Sequence, residues 1–214
     1  KLYPIVYLLD GGITYPMLSS YHYLLNALQE VPEAIIVGIS YGTGDWKLGN
    51  NRSVDFTAPS KEREHWGGAE GFLKFLQNEL IPQVEKDLPV DKAKRVIFGN
   101  SLGGQFGLYV ASHAGQPFYG VIASNPAIHT NTNFYLRTPL PIQGNKVKLF
   151  IGRAENDAER FKLPLNSWVN HWQKKTDLPW ELKIKTIPEH GHVSSVPEAY
   201  RLGMQWLFKS GVDK

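Results

Sequence analysis

Apolar, β-branched and aromatic residues gather in six short runs, at 3–9, 34–39, 95–98, 120–123, 147–151 and 182–187. Several are apolar throughout rather than alternating, as expected of strands covered on both faces. Between the runs the spacing lengthens to three and four. Tyr21, Leu24, Leu25 and Leu28 share one face of a predicted helix over 21–30. Phe72, Leu76, Leu80 and Val84 recur at every fourth position of a second helix over 69–87. Pro82 removes one hydrogen bond there and should kink or split that helix. Segments 102–113 (rich in small residues), 161–175 and 197–209 complete the helices, with Pro197 suited to a first turn. Strand and helix alternate. The prediction is an α/β fold in one domain over 1–214, a mostly parallel sheet with helices on both faces.

Two connections are far longer than usual, 40–68 and 125–144. Loops of such length commonly shape a site. In open parallel sheets, ligands bind beyond the carboxyl ends of the strands. Both loops are therefore expected to contribute to a pocket at that end.

The pattern Gly-x-Ser-x-Gly occurs twice, as Gly99, Ser101 and Gly103 in "RVIFGNSLGGQFGLYV" and as Gly38, Ser40 and Gly42 in "VGISYGTG". A nucleophile elbow needs a strand, a sharp strained turn and then a helix. Ser101 has an apolar strand before it and a glycine-rich helix start after it. Ser40 is followed by loop chemistry. Ser101 is the candidate nucleophile; the plainer role for it is a helix N-cap.

A serine hydroxyl needs a base, itself oriented by an acid, and in this architecture they follow in the order Ser, acid, His. "TIPEHGHVSSVPEAY" supplies His190 and His192 between the last strand and the last helix. His192 is favoured, since it follows Gly191 and lies nearer that helix. His113 and His129 lie too close to Ser101, and His171 falls mid-helix. After "KVKLFIG" the chain reads "RAENDAERF", offering Glu155, Asp157 and Glu159. Glu155, three residues beyond Gly152, is the expected acid and Asp157 the second choice. The same cluster could simply complement a helix dipole. The expected oxyanion donors are the N–H groups of Leu102 and of Gly12 in "VYLLDGGIT". A metal site on His190, His192 and Glu155 or Asp157 is the rival reading. It leaves the serine turn unexplained, so no metal is expected.

Composition narrows the classes. The net charge over 214 residues is +3 with scattered Lys and Arg, which does not suggest nucleic acid. No apolar run approaches the roughly 18 residues of a membrane span. Residues 1–10 read as a strand rather than a signal peptide. The absence of cysteine excludes disulfides, thiolate metal sites and a cysteine nucleophile, and leaves compartment and oligomeric state open.

In this order, "YPIVYLLDGG", "IIVGISYG", "NRSVDFTAP", "GGAEGFLKFLQNELIPQVE", "VIFGNSLGGQFGLYV" and "GHVSSVPEAYRLGMQWLF" resemble the Putative esterase family. Its members are α/β-hydrolases that include esterase D-like, enterochelin esterase-like and feruloyl esterase-like enzymes. The resemblance implies a serine carboxylic-ester hydrolase that acts on a small-molecule ester through an acyl-enzyme, with no metal or organic cofactor. It also favours His192, through "HVSSVP". Two departures stand out. The family usually carries histidine before the nucleophile, where this chain has Asn100. The family's domain also has extra antiparallel strands before "YPIVYLLDGG", whereas this sequence starts at that strand. An acyltransferase on the same triad and a non-catalytic binding protein are the alternatives. Trp46, Arg52 and Trp66 in the first long loop are the candidate substrate contacts. The aromatics could stack on a sugar, a phenolic ring or an acyl group, or form a small loop core. Arg52 could instead pair with Asp55.

Overall fold

A computed structural model describes residues 1–61, 63–137 and 146–208, without the side chain of Trp46. All six apolar runs are strands: β1 (Tyr3–Leu8), β2 (Ile35–Gly38), β3 (Val90–Asn100), β4 (Gly120–Ser124), β5 (Lys148–Ala154) and β6 (Glu181–Ile187). They form one sheet in the order β2-β1-β3-β4-β5-β6, with every neighbouring pair parallel. Along β1 the side chains divide with period two. Ile5 and Tyr7 join one core cluster, Val6 and Leu8 the other. The two clusters lie on the two faces of the sheet, which is why several of the strands read as unbroken apolar runs.

Helices α3 (Ala69–Phe75), α4 (Ile81–Glu85), α5 (Leu102–Ala111) and α7 (Glu159–Gln173) cover the first face. Helices α1 (Gly11–Ala27) and α8 (Val196–Phe208) cover the second. Lys209, the predicted end of the last helix, lies outside the described residues. The predicted split at Pro82 is present. A π-helical turn, Leu76–Leu80, separates α3 from α4 just before the proline. The wider turn accommodates the ring and the missing N–H. The first helix is the main departure. It begins at Gly11 rather than at 21 and runs through Pro16. Ile13 in its first turn is 78% exposed, so the first turns carry no apolar stripe toward the core. The long loops hold two short helices, α2 (Arg52–Asp55) and α6 (Thr132–Tyr135), and a 3₁₀ turn at Trp46–Leu48. The second loop is described only as far as 137.

One buried polar contact clamps the second face. His22 of α1 faces the carbonyl of Pro32 through Nε2 (3.1 Å) and the hydroxyl of Tyr200 of α8 through Nδ1 (2.9 Å). In the neutral ring, Nε2–H donates to Pro32 while Nδ1 accepts from Tyr200. Burial lowers the pKa of His22. Protonation would put a second donor against the tyrosine. The neutral ring's contribution is therefore complete above the unfolded value of about 6.5 and is lost as pH falls from there through the lower folded value. The stability gap between wild type and His22→Gln should narrow as pH drops below about 6.5, as read by urea unfolding at stepped pH. A gap that widens with acidification would contradict the neutral ring.

Candidate active site

The sheet order locates the site. After β1 the chain turns outward to β2, and after β3 it proceeds the other way to β4. The connections diverge and leave a crevice at the carboxyl ends of β1 and β3. Asp10, Gly11 and Gly12 follow β1; Ser101 and Leu102 follow β3.

Ser101 has φ 59° and ψ −115°, a conformation that L-residues rarely adopt. Its N–H donates to Ser124 O (3.0 Å), and its carbonyl accepts from Gln105 N (2.9 Å) and Ala127 N (3.0 Å). It stands at the N-cap position of α5 but makes no side-chain capping bond, so the plain N-cap role fails. The glycines explain how helix and strand come so close. A Cβ at Gly99 would lie 2.3 Å from the backbone of Gly103, and one at Gly104 would lie 2.6 Å from Ser124 O. A Cβ at Gly103 would meet Leu9 at an ordinary 3.5 Å. Ser40, in the other Gly-x-Ser-x-Gly pattern, accepts the N–H of Gly42 (3.2 Å) in a turn, and no helix follows it directly.

His192 follows β6. Its Nδ1 bonds Asp157 Oδ2 at 2.7 Å, and its ring stacks on Phe161 of α7 at 4.4 Å and 22°. With the Nδ1 proton directed at the carboxylate, Nε2 carries the lone pair. That atom is buried and has no hydrogen-bond partner among the described residues. The partner of His192 is thus Asp157, not Glu155. Glu155 accepts the N–H of Glu189 (2.9 Å) and pins the turn after β6. The reason is strand length. β5 runs to Ala154, in register with Ile187, so the residue three beyond the strand is Asp157. His190 turns to Pro188 O (2.7 Å). Among the described residues no three His, Asp or Glu side chains gather as a metal site.

Gly12 is the second residue of α1 and Leu102 the first of α5. Neither N–H has an intrahelical acceptor. Gly11 N–H and Ile13 N–H are taken by Ile39 O and Asp10 O. The crevice opens into a cavity of about 710 Å³, lined by Gly12, Ser101, Ser40, Tyr41 and Arg52, with Ile13, Met17 and Val193 as an apolar wall. Arg52 does reach this cavity, but its guanidinium grips Asp10 through two bonds, Nε to Oδ1 (2.7 Å) and Nη2 to Oδ2 (2.8 Å). Asp55 instead accepts the hydroxyl of Tyr41 (2.7 Å), so the alternative pairing of Arg52 with Asp55 is not formed. Trp66 does not line the cavity. Arg63 covers its ring at 5.5 Å and His65 meets it edge-on at 6.2 Å, a local loop cluster. The side chain of Trp46 lies outside the described residues. Sequence reasoning missed Phe161, Ile13, Met17 and Asn125. Only Asn125 carried a signal, an Asn-Pro step after a strand that suits a turn.

The family model described as Putative esterase matches residues 1–196. The chain belongs to that family. It is 36% identical over 149 residues to the ferri-bacillibactin esterase BesA of Bacillus subtilis (strain 168), covering 63% of this chain and 51% of that one. It is 32% identical over 114 residues to the apo-salmochelin esterase of Escherichia coli O6:H1 (strain CFT073), covering 49% of this chain and 35% of that one. The chain thus spans about half or less of the length of these curated relatives. Among solved structures, an IroE-like serine hydrolase from Shewanella oneidensis matches with TM-score 0.82 and 25% identity, over 100% of this chain and 72% of that one. The BES protein from Bacillus cereus matches with TM-score 0.80 and 27% identity, over 98% and 84%. The fold is that of the α/β-hydrolases.

The two glycines of the serine motif should respond differently to a methyl group. Gly99→Ala should cost about 2–4 kcal/mol through overpacking against Gly103. Gly103→Ala should stay within about 1 kcal/mol, the helix gain offsetting minor crowding. Denaturant unfolding of both variants checks this, and equal costs would refute it.

Proposed function

We propose that this protein is a serine carboxylic-ester hydrolase acting on siderophore esters. The observation that carries the reading is the His192–Asp157 bond of 2.7 Å, in loops whose Val193 lines the same cavity as the strained turn of Ser101. In the proposed reaction Ser101 Oγ attacks the ester carbonyl carbon and its proton passes to His192 Nε2. The carbonyl oxygen becomes an oxyanion and receives the N–H groups of Gly12 and Leu102. Asp157 stays ionised, fixes the tautomer and stabilises the imidazolium. The C–O bond then breaks, and the alcohol leaves with the proton from Nε2. Water repeats the sequence on the acyl-enzyme and releases the acid. The bond from Ser101 to Nε2 is open in this conformation, as catalytic bonds often are without substrate.

The substrate class rests on the relatives, whose names specify ferri-bacillibactin and apo-salmochelin. The wall of Ile13, Met17 and Val193 suits an apolar or aromatic part of such an ester. Acyl transfer to an alcohol would use the same residues and is separated by products.

A fluorophosphonate probe should label Ser101, as located by peptide mass mapping, and Ser101→Ala or His192→Ala should abolish the adduct. Labelling at Ser40, or none on folded protein, would overturn the mechanism. Turnover should fall roughly 10⁴- to 10⁶-fold in those two variants and about 10³- to 10⁴-fold in Asp157→Asn. Glu155→Gln should stay within about threefold, since its carboxylate bonds only a backbone N–H. Mass spectrometry of ferri-bacillibactin and apo-salmochelin digests should show opened esters. Cleavage of simple aryl esters alone would remove the siderophore assignment, and ester exchange with added alcohols in place of hydrolysis would favour the transferase.

A further inference from the structure

Beyond the triad, one buried side chain ties together the strand ends that carry it. Asn125 follows β4, has φ 42° and is 1% exposed. Asparagine tolerates that left-handed conformation better than most residues. Its backbone N–H donates to Gly152 O (2.8 Å), and its Oδ1 accepts the N–H of Ala154 (2.7 Å), the last residue of β5. Its Nδ2 reaches His192 O (2.9 Å) and Ser195 Oγ (2.7 Å). Asn100 Oδ1 lies 3.2 Å from the same Nδ2 and accepts Ser124 Oγ at 2.9 Å.

We propose that Asn125 is a positioning residue for His192. The proposal rests on the hydrolase reading above. Asp157 hangs from β5 three residues past Ala154, and His192 hangs from the loop after β6. One amide fixes the backbone at both points, with its acceptor side on β5 and its donor side on the histidine. The ring is then held by Asp157 at Nδ1, by Phe161 on its face and by Asn125 at its carbonyl. A side-chain amide offers two N–H donors on one atom and a carbonyl acceptor on another, without charge. Asn100, where the family usually has histidine, completes the cluster directly before Ser101 and couples the nucleophile turn to the same amide.

The test is a double-mutant cycle between Asn125→Ala and His192→Ala, read as the hydrolysis rate of an activated aryl ester. Asn125→Ala should lower kcat roughly 10- to 100-fold and leave KM within about twofold, at temperatures where circular dichroism shows the fold intact. In the His192→Ala background the same change should alter the residual rate less than about twofold, because the group being positioned is gone. An equal factor in both backgrounds, or a loss confined to KM, overturns the inference and leaves the hydrolase reading standing. If His192→Ala does not slow the reaction, both fall together. Should Asn125→Ala fail to fold, Asn125→Asp takes its place in the cycle and is decided by the same comparison of factors. It keeps the acceptor for Ala154 and the shape, and loses the amide donors.

Discussion

The backbone of Ser101 sits where few side-chain-bearing residues can, and the site is arranged around keeping it there. Such a conformation costs of order 1–3 kcal/mol. It persists because three backbone hydrogen bonds and the packing of α5 leave no room for relaxation. That packing in turn requires bare Cα atoms at Gly99 and Gly104, where a methyl would strike backbone. The glycines therefore act on the serine indirectly. They let α5 press onto β3 and β4, and the pressed helix holds the turn.

The parallel sheet does the rest of the gathering. Because β1 and β3 are neighbours whose connections leave in opposite directions, the start of α1 at Gly12 and the Ser101 turn share one crevice. The ends of β5 and β6 bring Asp157 and His192 to the same edge of the sheet.

Much of this was readable along the chain, for a physical reason. Strands covered on both faces need apolar runs, and all six strands fall on the short runs read along the chain. Ser101 stood out from Ser40 because a helix start directly after a serine is local information. The place of His192 in the loop between the last strand and the last helix was readable from chain order, and there its ring bonds Asp157. The features that escaped depended on distant partners. The end of β5 is set by pairing with Ile187, so counting from Gly152 selected Glu155 over Asp157. Arg52 chose Asp10, across the crevice, over its near neighbour Asp55. The start of α1 was hidden because its first turns present Ile13 and Met17 to the cavity instead of the core.

The Arg52–Asp10 pair also bears on the electrostatics of the proposed reaction. Asp10 lines the same cavity as Gly12 and Ser101. A bare carboxylate there would repel an oxyanion forming at the Gly12 and Leu102 N–H groups. The bidentate guanidinium cancels that charge, and the pair is only partly exposed, so solvent screens it less than a surface bridge. Asp157, by contrast, is bonded to the imidazole of His192. When that imidazole takes the serine proton, the new positive charge forms against Asp157 while the new negative charge forms against two helix N-termini. Each charge created in the step therefore meets a group already in place, which lowers the reorganisation needed at the barrier.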